Sequence, residues 1–145
     1  MQNTILGPAA VLVLWSLIML VWTAGTRLPA MAKTGIDLKA APPGGRGADL
    51  EAILPASVNW KSHNFSHLME QPTLFYAVVA ILALASQGGG LNTTLAWGYV
   101  GLRIAHSLWQ ALVNTIPVRF TLFLVSTLCL FALAINAVRA TVFGG

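Results

Sequence analysis

Residues 96–114 read AWGYVGLRIAHSLWQALVN, an apolar stretch in which polar side chains recur at regular intervals. On a helix that turns 100° per residue, these polar side chains fall within one arc of about 80°. They are Tyr99, Arg103, His106, Gln110 and Asn114. An arginine inside a membrane helix is costly, and it almost always faces the protein interior or a wet cavity. The stretch therefore predicts a membrane helix whose polar face carries the functional site.

The composition of the whole chain is that of a membrane protein. Of its 145 residues, 57% are hydrophobic and 8% are charged, against about 25% charged in soluble domains. Four stretches are long and apolar enough to cross a bilayer, which takes about 20 residues each. We expect helices at about 5–26, 59–87, 94–113 and 118–141, with a polar loop over about 27–58. The prediction is an all-α, transmembrane four-helix bundle that forms a single domain over 1–145.

The distribution of basic residues predicts the orientation of this bundle. Five of them lie between the first two helices: Arg27, Lys33, Lys39, Arg46 and Lys61. The tail before the first helix and the connection 87–93 carry none, so the positive-inside rule puts both termini outside the cytoplasm. Because no basic residue precedes the first helix and its apolar run exceeds 7–15 residues, we expect a retained helix, not a signal peptide. The sequence does not determine the role of the loop.

Several classes of function are disfavoured by the residues present. The basic residues are not interleaved with aromatic residues on one face, so no nucleic-acid partner is expected. Cys129 lies in a predicted apolar helix, so we interpret its thiol as an unreactive packing group. His63 and His67 have the spacing of a helical metal pair, with His106 as a third candidate, but no cysteine or acidic cluster completes a metal or haem site. We therefore predict no metal.

Two charged residues lie at similar depth in the predicted bundle. Glu70 on the second helix and Arg103 on the third are each costly alone in hydrocarbon, so we expect them to form an ion pair. Such a pair fixes helix packing or belongs to a ligand site, and the residues leave both readings open. Arg119 lies near the membrane boundary beside Pro117, where a guanidinium meets either lipid headgroups or an anionic ligand.

Two motifs resemble those of a known family. Residues 70–76, EQPTLFY, resemble the acidic-then-proline motif on the second helix of the MAPEG family, the membrane-associated proteins in eicosanoid and glutathione metabolism. Residues 96–107, AWGYVGLRIAHS, resemble the third helix of that family and are most similar to its bacterial branch. Asn114 and Arg119 fall where the family places its turn and its fourth-helix arginine. The resemblance covers the whole four-helix chain.

The resemblance implies a homotrimer in a bacterial inner membrane, with glutathione bound between subunits near the cytoplasmic side. In glutathione-using members, second- and third-helix residues hold the tripeptide and a fourth-helix arginine helps to form the thiolate. A cation stabilises a thiolate, which is the reactive nucleophile. Carried over by position, the catalytic residue is Arg119, and the cofactor-binding residues are Glu70, Arg103, His106, His67 and Asn114.

The chain also departs from the family pattern at the second and third helices. Members that bind glutathione tightly carry basic residues where this chain has His63 and Ser66. A second-helix asparagine of the family is His67 here, and a third-helix tyrosine is Gln110. Fewer cations therefore remain for the two carboxylates of glutathione.

Two functions follow from this comparison. One is a glutathione-dependent transferase or peroxidase that takes a lipophilic small molecule from the lipid bilayer. The alternative is a non-catalytic membrane scaffold or lipid-binding protein that assists a partner. The sequence identifies neither the substrate, nor a partner protein, nor the source organism.

Overall fold

The fold is built from helices alone over residues 4–144, which are the residues that the computed structural model describes. Five α-helices and one 3-10 turn follow one another in the order α1 (Leu6–Lys33), the turn (Gly47–Leu50), α2 (Ala56–Leu68), α3 (Gln71–Leu84), α4 (Gly90–Leu112) and α5 (Ile116–Val142). The all-α class predicted from the sequence is confirmed.

Three helical stretches are long and apolar enough to cross a membrane. They are Leu6–Lys33, Ala56–Leu84 and Ile116–Val142. The sequence predicted a fourth span at 94–113, and α4 has the length for it, about 34 Å at 1.5 Å per residue. The polar residues of α4 lower its mean hydropathy, so α4 is not among the three apolar stretches. Instead, α4 packs against α1, α2 and α5, and thus forms the centre of the bundle.

The polar stripe of α4 faces the protein interior, as predicted. Tyr99, Arg103, His106 and Gln110 are all buried. The opposite face carries exposed apolar side chains such as Trp97, Leu108 and Leu112. The cost of an intramembrane charge explains this orientation, because only the inner face offers polar partners to the stripe.

The predicted second helix is interrupted. Where the sequence predicted one helix over 59–87, α2 ends at Leu68 and α3 begins at Gln71. Pro72 has no N–H, and its ring conflicts with the carbonyl four residues earlier, which belongs to Leu68. The chain therefore leaves the helix at Met69 and Glu70 and restarts with the proline in its first turn, where it is tolerated.

The first helix is longer than predicted and the loop after it is docked in part. Helix α1 continues through Pro29 to Lys33, whereas we expected its end near residue 26. The Arg27 guanidinium donates to the Ser62 hydroxyl at 2.7 Å and to the carbonyl of Gly47 in the loop. The Asn59 amide donates to the carbonyl of Glu51 at 2.8 Å. The second half of the loop is thereby held against α1 and α2.

Candidate functional site

Arg103 is a fully buried arginine at the centre of the bundle. Its side chain is 0% exposed. Nη2 contacts Nδ1 of His67 at 2.9 Å and donates to the carbonyl oxygen of His67 at 3.3 Å. Nε and Nη1 have no hydrogen-bond partner within residues 4–144. A buried charge with unused donors is expensive, so Arg103 is the strongest candidate for binding an anionic group.

The predicted Glu70–Arg103 ion pair is absent from the described part of the subunit. The ion pair found there joins His63 and Glu51 at 2.8 Å. Glu70 lies in the break between α2 and α3 and is exposed. The prediction assumed a continuous helix, and the interruption before Pro72 removes the geometry on which it depended. His67, one turn earlier, takes the place beside Arg103.

Two histidines from different helices stack next to this arginine. The rings of His67 and His106 lie 5.0 Å apart, centroid to centroid, with 29° between their planes. Phe123 of α5 meets His67 edge to face at 5.6 Å, and its ring lies 5.9 Å from the guanidinium carbon of Arg103. The stack and the phenyl ring together cover Arg103.

A cleft lies on the outer side of this cover. It has a volume of about 190 Å³ and is lined by His67, His106, Ile116, Arg119, Phe120 and Phe123. The described lining includes a cation and two imidazoles but no carboxylate. Its apolar wall comes from α5, where Ile116 and Phe120 are themselves largely exposed. A cleft of this kind suits a ligand with one anionic and one apolar part.

Asn114 connects the end of α4 with Arg119. Its φ of 57° lies in the left-handed region, which asparagine tolerates better than most residues. Its N–H donates to the carbonyl of Trp109 at 2.7 Å and closes the helix. Its side-chain oxygen accepts from Nη1 of Arg119 at 2.6 Å. One residue therefore both ends α4 and fixes the arginine at the rim of the cleft.

We expect two Asn114 variants to separate these roles. Asn114→Ala places an alanine in the left-handed region, at about 1–2 kcal/mol, and lowers the melting temperature. Asn114→Gly keeps that conformation at little cost and loses only the bond to Arg119. Thermal unfolding of the purified protein should rank alanine below glycine. Equal melting temperatures for the two variants would contradict the turn role.

The histidines do not come together as a triad. His63 is exposed and bonded to Glu51 at 2.8 Å, while His67 and His106 stack beside Arg103. Over residues 4–144 there is no group of three His, Cys, Asp or Glu side chains placed to hold a metal ion. The arrangement favours an anion near two imidazoles and two guanidinium groups.

The sequence analysis missed a role for Gln71. Its side-chain oxygen accepts from the Tyr99 hydroxyl at 3.1 Å, and its amide donates to the Thr127 hydroxyl at 2.9 Å. Gln71 thus joins α3, α4 and α5 inside the bundle. In the sequence, Gln71 stands out only as an amide side chain beside Pro72 in an apolar segment. Its partners, Tyr99 and Thr127, cannot be recognised from the sequence.

The structure brings most of the predicted site residues together. His67, Arg103 and His106 are in mutual contact or stacked, and Arg119 shares the cleft with the two histidines. Asn114 reaches the cleft indirectly, through Arg119. Glu70 is exposed at the break between α2 and α3 and is not among the residues that line the cleft.

The comparisons with known proteins agree with the resemblance in the sequence. The family model described as "MAPEG family" matches residues 5–139, which is nearly the whole chain. No match is found among curated proteins or among solved structures. The match therefore establishes a family and leaves the reaction, the ligand and the assembly to physical argument.

Proposed function

Since the chain belongs to the MAPEG family, we propose that this integral membrane protein is a glutathione-dependent transferase or peroxidase acting on a lipophilic substrate. The observation that carries the proposal is the pair of unpartnered donors on buried Arg103, next to a cleft with a second arginine at its rim. Glutathione offers two carboxylates and a thiol, the groups that such donors bind or activate.

Binding at Arg103 requires a side chain to move. Nε and Nη1 are closed off from solvent, and His67 lies both against Arg103 and in the lining of the cleft. A ligand carboxylate that displaces the His67 imidazole would give Arg103 a charged hydrogen-bond acceptor in place of a neutral one. An arginine–carboxylate pair is also frequently bidentate, with two parallel N–H···O bonds, whereas one imidazole nitrogen accepts a single bond. His67 therefore acts as a replaceable partner of Arg103.

Arg119 is the residue proposed to stabilise the thiolate. It is partly exposed in the cleft, and Asn114 holds one of its terminal nitrogens. The remaining N–H groups are free to face a sulfur atom in the cleft. A guanidinium beside a thiol favours the thiolate, which is the species that attacks an electrophile or a peroxide.

Glu70 has a different role in this proposal. Its carboxylate makes no side-chain hydrogen bond within residues 4–144. Glu70 is exposed at the helix break, three residues after His67. A free carboxylate there suits the ammonium group of glutathione. His106 lines the cleft beside Arg119 and would contact the peptide part of the ligand.

The second substrate is proposed to enter from the bilayer. Ile116 and Phe120 form the outer wall of the cleft and face away from the bundle. A lipophilic molecule concentrates in the membrane beside this wall. The reacting atom would then meet the thiolate at the rim near Arg119.

The assembly and orientation are parts of the proposal. We propose a homotrimer in a bacterial inner membrane with both termini outside the cytoplasm. The surface supports association with lipid or with other subunits, because many large apolar side chains are exposed along α1, α3 and α5. The five basic residues from Arg27 to Lys61, which span the end of α1, the loop and the start of α2, support a cytoplasmic loop.

Isothermal titration of reduced glutathione into the detergent-purified protein tests ligand binding directly. We expect saturable binding in the millimolar range, because the family's additional basic residues are replaced by His63 and Ser66. An Arg139→Met variant, altered at an exposed arginine near the other end of α5, should bind like the parent.

The alternative function is a scaffold or lipid-binding bundle that assists a partner. The observation in its favour is that Arg103 already bonds within its own subunit, to His67, as a packing residue would. Absence of glutathione binding at millimolar concentration would support this alternative and refute the enzyme. Identification of the molecules that co-purify would then be the next measurement.

A further inference from the structure

A second cavity lies between the end of α1 and the start of α2, and it shares no residue with the cleft around Arg119. Its volume is about 420 Å³. Gly25, Pro29 and Ala30 give it a floor of small side chains on α1, and Lys33 and Lys61 supply its charges. It therefore combines open space with positive charge.

The two lysines have no carboxylate partner within residues 4–144, since the ion pair found there joins His63 and Glu51. Lys61 donates to the carbonyl of Ser57 at 2.9 Å and to that of Ala111 at 3.4 Å. Its ammonium also lies 5.3 Å from the centre of the Trp22 ring. These contacts hold the ammonium at the cavity but leave its charge uncompensated.

An apolar groove on α1 continues from this cavity along the same helix. Leu14, Leu17, Ile18, Val21 and Trp22 line it. Positions 14, 18, 21, 25 and 29 follow one another at three- and four-residue steps, so they lie along one strip of the helix surface. The groove and the cavity therefore follow one another along the same face of α1, and we treat them as one feature.

The dimensions of this feature match one leaflet of a bilayer. From Leu14 to Trp22 the helix rises about 12 Å at 1.5 Å per residue. Half of a hydrocarbon core of about 30 Å is close to that length. Trp22 is the type of residue that occupies the membrane interface, so Lys33 and Lys61 lie on the headgroup side of it.

We propose that this feature binds one anionic phospholipid, with its phosphate between Lys33 and Lys61 and one acyl chain along the α1 groove. Charge complementarity selects the headgroup, because two cations face a cavity whose described lining has no carboxylate. The apolar strip selects a lipid over a free phosphate. The site is independent of glutathione and of the cleft.

Native mass spectrometry of the full-length protein tests the proposal. The detergent-purified protein is mixed with equimolar phosphatidylglycerol and phosphatidylcholine of the same chain length. We expect phosphatidylglycerol to be preferred, and Lys33→Gln to reduce that preference about fivefold, the effect of one basic residue near a lipid surface. Inorganic phosphate at the same concentration should not displace the lipid.

Filling the cavity provides a second variant that does not depend on charge. Gly25 lines the cavity, and a Cβ at this position meets no heavy atom within 4 Å, so a Gly25→Leu side chain starts in open space. Leucine is also the better helix former, so the variant should fold. We expect it to abolish phosphatidylglycerol binding, because the leucine side chain fills the space in which the headgroup is proposed to lie.

Matched controls use the same substitutions elsewhere. Gly101→Leu adds the same side chain at an open position on α4, and Lys39→Gln removes a lysine outside the cavity. Both should bind lipid like the parent. Equal binding of the two lipids, or no effect of Lys33→Gln and Gly25→Leu, would overturn the proposal. A changed subunit number in Gly25→Leu would also overturn it, since a second copy would then be the occupant of the groove.

Discussion

An Arg119→Ala variant is expected to lose about 10²- to 10³-fold in glutathione turnover, the usual effect of removing one donor that stabilises a developing charge. Among the described hydrogen bonds, the Arg119 side chain bonds only to Asn114, and Arg119 lines the cleft. If the proposed function holds, its loss removes thiolate stabilisation and leaves the bundle intact. Steady-state kinetics with a lipophilic electrophile measures the effect.

Two further readouts separate this role from a structural one. The ultraviolet absorbance of a bound thiolate should disappear in Arg119→Ala while glutathione affinity changes less than turnover does. Arg119→Lys keeps a cation at the rim and should recover part of both signals. A variant with full turnover would refute the proposed role. A variant that fails to assemble would assign Arg119 to the structure of the α4–α5 turn.

An Arg103→Met variant is expected to lose glutathione affinity by at least about 10²-fold. Two hydrogen bonds to a charged group contribute about 1.5–3 kcal/mol each, and every 1.4 kcal/mol is about tenfold in affinity. Methionine keeps most of the volume of the side chain and removes the buried charge. Calorimetric titration of parent and variant gives the ratio directly.

The same Arg103→Met variant should be at least as stable as the parent. A buried charge without an ionic partner is costly to the folded state, and methionine removes that charge without opening a large cavity. Arg103 has two unused donors and no described carboxylate beside it, so this case should follow the rule. Lower affinity with an unchanged or higher melting temperature identifies a binding residue. A strongly lower melting temperature would instead identify a packing residue and favour the scaffold.

The residues of α4 show how far sequence reasoning extends in this protein. The spacing of Tyr99, Arg103 and His106 predicted a polar face turned inward, and all three are buried. The long apolar stretches predicted the all-α class, which the structure confirms. Both conclusions rest on local periodicity and on the cost of charge in hydrocarbon, which act within one helix.

Local periodicity did not identify the hydrogen-bond partner of Arg103. Glu70 was the expected partner by depth and charge, whereas His67 is the actual one. Each residue along a helix rotates the side chain by 100°, and the break before Pro72 changes both rotation and register after Leu68. Depth along an axis is thus predictable, but the side chain that faces a given neighbour depends on how the helices pack.

The sequence by itself determined the helical class, the membrane environment, the inward polar face of α4 and the family motifs. The tertiary structure decided that His67 covers Arg103, that Asn114 holds Arg119, and that Lys33 and Lys61 line one cavity. The physical reason is the range of the interactions. Periodicity and hydropathy act between residues within a few turns of each other, whereas these three arrangements depend on the relative placement of separate helices or on the geometry of the turn between them.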